Sequence, residues 1–224
     1  MHLAKLIEMQ KDLDGRIRKE KGLEGEELVP NTFVALQVEL AEFANEGRWF
    51  KHWKEDRAPR TSGKCSNCQG KGEGFFSGNR YTGNIEVCVA CDGTGINEKE
   101  NPLLEEFVDG VHFFLSIAIQ NGWDDALYIY EEQLDPGDFD GDLTAWYLEL
   151  TYFLNKSYFE NSNEEENQKW KKYYGFPAKQ YWFRIAWVMF LNIGINGFGF
   201  SPEQIEQAYL AKNKVNHDRQ TNGY

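Results

Sequence analysis

Basic side chains are scarce in this chain of 224 residues. There are 24 lysines and arginines against 36 aspartates and glutamates, so the formal net charge is −12 at pH 7. A surface this acidic repels a phosphate backbone, which argues against a protein that binds nucleic acid. A small phosphorylated ligand remains compatible with the composition, because metal ions can bridge carboxylates and phosphates.

Long apolar runs are also missing. The most apolar stretch of the C-terminal half, residues 181–195, contains Arg184 and is too short to span a bilayer. The N-terminal residues MHLAKLIEMQKDL are amphipathic and soon charged, unlike a signal peptide. We therefore expect a soluble, cytoplasmic protein with no membrane partner.

Cysteine is limited to four residues, all in one glycine-rich segment. They form two C-x-x-C pairs, Cys65–Cys68 and Cys88–Cys91, and each pair continues into the same pattern, C-x-x-C-x-G-x-G. Two thiolates at this spacing reach one metal from a short turn, and in a chain with no export signal they favour a metal site. Two disulfides or four reduced thiols are the alternatives.

The segment around these cysteines, residues 59–98, is predicted to be a Cys₄ zinc-binding insertion. Its repeated motif resembles the cysteine-rich module of DnaJ chaperones, over this segment only. Four cysteine ligands complete a tetrahedral zinc site and leave no open position for catalysis. The insertion has few bulky apolar residues near its centre, so metal binding must supply its folding free energy. These residues are Phe75, Phe76, Tyr81, Ile85 and Val87.

Strand-like alternation is absent outside the insertion, and the rest of the chain shows helical periodicity. The predicted helices are residues 1–21, 31–47, a helix opened by Pro102, and residues 143–158, 178–193 and 201–220. Asn31 or Thr32 is the expected N-cap of the second helix. The sequence predicts an all-α bundle formed by residues 1–58 and 99–224, with the acidic residues 131–143 as a loop.

Two of these helices carry paired acidic residues. Glu39 and Glu42 sit at i and i+3 on the second helix, and Glu106 and Asp109 repeat the spacing after the insertion. Packed side by side, the helices would gather four carboxylates, which cannot all stay ionised without cations. Oxygen ligands in this number suit Mg²⁺, and a carboxylate left partly free can activate water. The alternative is an ordinary solvated acidic face.

The last predicted helix presents a basic face. Tyr209, Lys212, Asn216 and Arg219 lie at offsets 0, 3, 7 and 10, so they share one side of the helix. In an acidic protein such a cluster indicates a phosphate ligand. A basic last turn that complements the helix dipole is the alternative.

Gln10 interrupts the apolar stripe of the first predicted helix, and Asp14 follows one turn later on the same face. A glutamine in such a stripe must find hydrogen-bonding partners or cost stability. Gln10 is therefore expected to find such partners, and a polar residue at the edge of the helix is the alternative. His112, near the acidic pair, is interpreted as a structural hydrogen-bond partner.

Together these motifs resemble the dimeric dUTPases, a branch of the MazG-like all-α nucleoside triphosphate pyrophosphatases. The E-x-x-E of that group reads Glu39-Leu-Ala-Glu42 here, and its E-x-x-D reads Glu106-Phe-Val-Asp109. The supporting stretches are VELAEFANEGRWFKHWK, EEFVDGVHFFLS and AYLAKNKVNHDRQTNGY. The 63 residues between Glu42 and Glu106 exceed the usual connection. This departure concerns the connection and not the pairing of the helices.

The resemblance implies a homodimer that hydrolyses dUTP to dUMP and pyrophosphate, with dUDP as a further candidate substrate. Two or more Mg²⁺ ions per site would be held by Glu39, Glu42, Glu106 and Asp109. Glu42 would activate the attacking water, with Glu39 as the alternative. The structural zinc would lie apart from this site.

The resemblance also implies which residues contact the substrate. Lys212, Asn216 and Arg219 would grip the phosphates, and the base would stack on Trp53 and be read by Gln10. The substrate-binding residues are, in chain order, Gln10, Asp14, Trp53, Tyr209, Lys212, Asn216 and Arg219. Trp49 belongs to the same aromatic region or to the core.

Two rival functions remain at this point. The first is a pyrophosphatase for another deoxynucleoside triphosphate such as dCTP, which readout of the base would decide. The second is a zinc-containing binding or regulatory protein with a decayed site. The complete set of four acidic residues and the complete basic face argue against the second.

Overall fold

The computed structural model describes residues 1–74 and 86–223. Within that part of the chain, α-helices form most of the regular structure, which confirms the predicted all-α fold. The helices are α1 (Leu3–Glu20), α2 (Val29–Gly47), α3 (Pro102–Asn121), α4 (Leu143–Phe159), α5 (Glu164–Tyr174), α6 (Ala178–Asn192) and α7 (Pro202–Thr221).

The boundaries of the predicted helices agree with the structure within two residues, but the N-cap residue of α2 differs from the prediction. Leu28 is the N-cap and Pro30 lies in the first turn, so the prediction of Asn31 or Thr32 as N-cap is wrong. Proline suits the first turn because its missing N–H would be unsatisfied there in any case. Thr32 lies inside the helix, and its hydroxyl donates to the Leu28 carbonyl at 2.9 Å.

The sequence analysis missed α5, which buries none of its residues. Its polar sequence, EEENQKWKKYY, has no core-facing stripe that periodicity could detect. Its start is instead set by a capping box between Asn163 and Glu166. Acidic residues in the first turn and lysines in the last turn complement the helix dipole.

The centre of the bundle is α3, which packs against α1, α2 and α7. Helices α2 and α3 run antiparallel, because Thr32 at the start of α2 bonds Gln120 at the end of α3. Phe43 of α2, Phe107 of α3 and Phe190 of α6 join these helices, with Phe107 and Phe190 stacked at 4.3 Å between ring centroids. This aromatic contact fixes the facing sides of α2 and α3.

The acidic segment predicted as a loop contains short 3₁₀ turns, at Glu131–Leu134 and Pro136–Asp138, and a third precedes it at Asp124–Leu127. Side-chain donors on α6 form hydrogen bonds with the backbone carbonyls of these turns. Arg184 is buried, and its guanidinium donates to the carbonyls of Ala126 and Tyr128. The indole of Trp187 donates to the Leu127 carbonyl at 3.0 Å. A long connection is thereby ordered without strands or a regular helix.

The cysteine-rich segment contains four two-residue strands, β1 (Gly63–Lys64), β2 (Glu73–Gly74), β3 (Glu86–Val87) and β4 (Ile96–Asn97). Strand β1 pairs antiparallel with β4, and β2 pairs antiparallel with β3. The Leu103 amide donates to the Arg60 carbonyl at 3.0 Å, so the two ends of the segment meet beside α3. Its length therefore leaves the pairing of α2 and α3 unaffected.

Apart from the cysteines, the described part of this segment buries no bulky apolar side chain. Val87 is 64% exposed, and the other four apolar residues noted in the sequence, Phe75, Phe76, Tyr81 and Ile85, lie outside the described residues.

None of the described helices alone has the length and apolarity of a membrane span. The sharply bent pair Ala178–Gly197 and Pro202–Thr221 reaches that length and composition only when both members are counted together. Much of α6 is buried in the core.

Candidate active site and cysteine cluster

The facing sides of α2 and α3 bring together three of the four predicted acidic residues. Carboxylate oxygens of Glu39, Glu42 and Glu106 all lie within 4.8 Å of one another. Glu39 and Glu106 are half-buried, and Glu42 is exposed. Helical spacing aims each pair at the neighbouring helix, and the antiparallel packing puts the two pairs at the same level.

Two of these carboxyl groups, those of Glu39 and Glu106, have a raised pKa. Burial, followed by the charges of Asp109 and Glu42, raises the pKa of Glu39 to about 7. Burial also raises the pKa of Glu106 to about 7, together with repulsion from Asp109, Glu42 and Glu39. Like charges at this separation need a cation or a proton between them. The donor set is all oxygen, which fits a hard divalent cation such as Mg²⁺.

The fourth acidic residue, Asp109, faces α7 as well as the cluster. Its Oδ2 accepts a hydrogen bond from Lys212 Nζ at 2.5 Å. Burial raises the pKa of Asp109, while the bond from Lys212 opposes that rise. Lys212 therefore joins the acidic cluster to the basic face of α7.

A cavity of about 200 Å³ lies next to this contact, between α1, α2, α3 and α7. Most of the residues predicted to form the site line it, and the rest of its wall comes from apolar and hydrogen-bonding side chains of α1 and α3. The lining residues are Gln10, Leu13, Asp14, Ile17, Glu39, Asp109, His112, Phe113, Ser116, Lys212, Asn216 and Arg219.

Gln10 is buried rather than at the edge of its helix, and its amide is fully hydrogen-bonded inside the protein. Its Nε2 donates to Asp14 Oδ1 at 2.8 Å and to Ser116 Oγ at 3.0 Å. Its Oε1 accepts from the Tyr209 hydroxyl at 2.7 Å and lies 2.6 Å from His112 Nδ1. Both donors and both lone pairs of the amide are thus engaged.

The predicted basic face of α7 has one residue in the protein interior, and its other residues line the cavity. Tyr209 is fully buried behind Gln10, and burial raises the pKa of its hydroxyl, so the structure does not bring this side chain into the cavity wall. Lys212 is partly buried, and the exposed Arg219 donates to Asn216 Oδ1 at 3.4 Å. The cavity therefore has positive charge along one side.

The aromatic segment 48–58 does not reach this cavity in the described residues. Trp53 is 61% exposed and contacts Phe50 and His52 edge to face. Trp49 instead packs in the core against Phe43 and Phe198. Trp49 is thus a core residue, and Trp53 stands outside the cavity that contains the other predicted site residues.

Sequence reasoning missed three residues of α3 that line the cavity: His112, Phe113 and Ser116. All three follow Asp109 at intervals of three, four and seven residues, so they share its side of the helix. This spacing is the signal available in the sequence. The interpretation of His112 as a hydrogen-bond partner agrees with its contact to Gln10, but it omits the place of His112 in the cavity wall.

The four cysteine sulfurs converge at a second place, within 4.8 Å of one another. Cys65 Sγ lies 3.9 Å from Cys88 Sγ, and Cys68 Sγ lies 3.8 Å from Cys91 Sγ. A disulfide needs about 2.05 Å between sulfurs. Zinc bonded to sulfur at about 2.3 Å gives a tetrahedron with edges of about 3.8 Å, which fits these distances.

The two knuckles repeat the same hydrogen bonds. The Gly72 amide donates to Cys68 Sγ and the Gly95 amide to Cys91 Sγ, each at 3.2 Å. Both glycines have positive φ, and a Cβ on Gly72 would lie 2.2 Å from the Gly93 carbonyl oxygen. A hydrogen bond from Asn67 lowers the pKa of Cys88 to about 6, whereas burial and the neighbouring cysteines raise the pKa of Cys91 to about 11. Thiols this close together do not all ionise without a cation between them.

A family model described as dUTPase matches residues 2–65 and 94–224 of the chain. The unmatched residues, 66–93, contain three of the four cysteines. None of the curated proteins matches the chain significantly. The matched residues include both acidic pairs, Gln10 and the whole of α7. The chain therefore belongs to the dUTPase family and is a dUTP pyrophosphohydrolase.

Proposed function

We propose that the enzyme converts dUTP to dUMP and pyrophosphate with two or more Mg²⁺ ions held by Glu39, Glu42, Glu106 and Asp109. The observation that carries this proposal is the convergence of carboxylates from α2 and α3 within 4.8 Å. Two of these groups have a pKa near 7 because of burial and mutual repulsion. Bound Mg²⁺ would neutralise charge on the triphosphate as the bond to pyrophosphate breaks.

Different side chains act on the attacking water and on the phosphates of the substrate. Glu42 is the exposed member of the cluster, so we assign to its carboxylate the proton of the attacking water, with Glu39 as the alternative. Lys212, Asn216 and Arg219 bind phosphate oxygens from the α7 side of the cavity. When the substrate binds, the Lys212 ammonium would leave Asp109 and bind a phosphate oxygen. The Asp109 carboxylate would then be available as a metal ligand.

Replacement of Glu42 by glutamine tests this assignment. We expect Glu42→Gln to keep the fold and to lose most pyrophosphate release from dUTP, because an amide neither accepts the proton nor ligates Mg²⁺ well. Glu105→Gln is the matched control, since Glu105 is an exposed acidic residue outside the cluster. Turnover near that of the parent in Glu42→Gln, with a normal melting temperature, would show that the site is assigned wrongly.

We also propose that residues 59–98 form an insertion folded around one structural zinc ion. The sulfur–sulfur distances of 3.8 and 3.9 Å and the amide donors from Gly72 and Gly95 support four thiolate ligands. Four protein ligands leave no position for substrate. Because the described part of the segment has no apolar core of its own, metal binding would supply its folding free energy.

Elemental analysis of the freshly purified protein tests the zinc proposal. The parent is expected to contain about one equivalent of zinc, and Cys88→Ser much less, because one of four ligands is lost. Ser66→Ala, between the first two cysteines, is the control that keeps all four sulfurs. Less than half an equivalent in the parent would contradict a structural zinc, and full retention in Cys88→Ser would contradict the four-cysteine ligand set.

We infer that the protein is a homodimer and that an exposed apolar face on α2 and α4 forms the interface. Phe33 of α2 contacts Tyr158 near the end of α4, and Trp49, just after α2, contacts Tyr147 near the start of α4, so the two helices run antiparallel. Large apolar side chains are exposed along both helices. They are Val34, Val38, Leu148, Tyr152 and Phe159, which are 48% to 73% exposed. Large exposed apolar side chains on an acidic protein indicate a protein interface, and a second copy offers the same side chains.

A charge placed on this face tests the dimer. Tyr152→Glu is expected to convert a particle of twice the chain mass into a monomer, because burying a charged side chain at an apolar interface costs free energy. Tyr173→Glu on α5 is the control, since Tyr173 is 72% exposed and lies off this face. The measurement is mass by sedimentation equilibrium. A monomeric parent, or a Tyr152→Glu variant that stays dimeric, would refute the assignment.

A further inference from the structure

The hydrogen bonds of Gln10 determine the proton position on His112. The Asp14 carboxylate lies 2.8 Å from one end of the Gln10 amide, and a carboxylate oxygen accepts there, so that end is the NH₂ group. The other end is therefore the oxygen, which lies 2.6 Å from His112 Nδ1. Two acceptors cannot share that distance, so Nδ1 must carry a proton and donate it to Gln10.

His112 consequently offers an acceptor on its other nitrogen. Burial lowers the pKa of the ring to about 3, so the neutral form is present at neutral pH. With the proton on Nδ1, Nε2 has a free lone pair, and it is buried without a hydrogen-bonding partner among the described residues. His112 is only 5% exposed, and its ring stacks on Tyr209 at 4.0 Å between centroids, which fixes its orientation.

We propose that His112 is the residue that determines base specificity: its Nε2 accepts the hydrogen bond from N3–H of uracil, and Gln10 acts as a positioning residue behind it. The inference rests on hydrolysis of dUTP at the cavity that His112 lines. A buried acceptor without a partner costs stability, and a ligand that donates to it recovers that cost. Gln10 cannot accept the N3–H hydrogen bond in place of His112, because Gln10 would have to break one of the four hydrogen bonds that its own amide makes.

The same lone pair excludes cytosine. Uracil carries a hydrogen on N3, whereas N3 of cytosine carries a lone pair, so cytosine would set two acceptors against each other. A site that hydrogen-bonds a substrate group rejects an analogue lacking that group strongly, because the buried partner is left unpaired. The hydrogen bonds that join Tyr209, Gln10 and His112 thus keep the His112 ring in the tautomer whose Nε2 accepts a hydrogen bond.

The test removes the acceptor at His112 Nε2 and keeps a donor to Gln10 Oε1. In His112→Asn the amide NH₂ can still donate to Gln10 Oε1 from about the position of Nδ1, but nothing remains at Nε2. The substrates are dUTP, dCTP and N3-methyl-dUTP, which has the uracil ring without the N3 hydrogen. The quantity measured is kcat/KM for pyrophosphate release, with melting temperature as the check on folding.

For the parent we expect dUTP to be preferred over both analogues by about 100-fold or more, and for His112→Asn by less than about tenfold. A merely structural role would lower activity on all three substrates equally. Unchanged preference in the variant would overturn the inference while leaving dUTP hydrolysis intact. A parent without activity on dUTP would instead remove the proposed function.

A second measurement covers the case in which His112→Asn does not fold. Nitrogen-15 spectra of histidine-labelled parent protein should show His112 protonated at Nδ1, and its Nε2 resonance should move when dUMP is added. An Nε2-protonated ring, or an Nε2 resonance insensitive to dUMP, would contradict the proposal. A parent that prefers dCTP would also contradict it, and would favour the unpaired Asp14 Oδ2 as an acceptor for the amino group of cytosine.

Discussion

The mutual repulsion of the carboxylates between α2 and α3 is the constraint on which the site depends. Carboxylate oxygens of Glu39, Glu42 and Glu106 lie within 4.8 Å of one another, although burial and neighbouring carboxylates raise the pKa of both Glu39 and Glu106. The aromatic packing of Phe43 and Phe107 keeps the two helices together against that repulsion. The fold thus maintains a volume that would bind divalent cations under the proposed function, and these cations would offset the negative charge of the substrate.

Helix α7 connects this acidic cluster to the buried network around Gln10. Lys212 bonds Asp109 beside the acidic cluster, and one turn earlier Tyr209 bonds Gln10. Under the proposed function, the same short stretch of helix would position groups for both ends of a nucleotide.

The sequence was sufficient for six of the seven described helices and for the shared face of each acidic pair, since these depend on local spacing. Glu39 and Glu42 share a face whatever the rest of the chain does. The contacts of Gln10 could not be predicted, because its partners His112, Ser116 and Tyr209 lie 102 to 199 positions away in the chain. The start of α2 and the polar helix α5 depend on capping rather than on an apolar stripe. The assignment of Trp53 to the base stays a prediction, since its side chain lies outside the cavity.

The most direct test of the account is the product formed from each deoxynucleotide with and without Mg²⁺. The purified enzyme is incubated with dUTP, dUDP, dCTP and dTTP, in Mg²⁺ or in excess EDTA, and nucleotide and phosphate products are separated. The account predicts dUMP and pyrophosphate from dUTP in Mg²⁺ and almost no product in EDTA. Equal hydrolysis in EDTA, or dUDP and single phosphate as the products from dUTP, would contradict it.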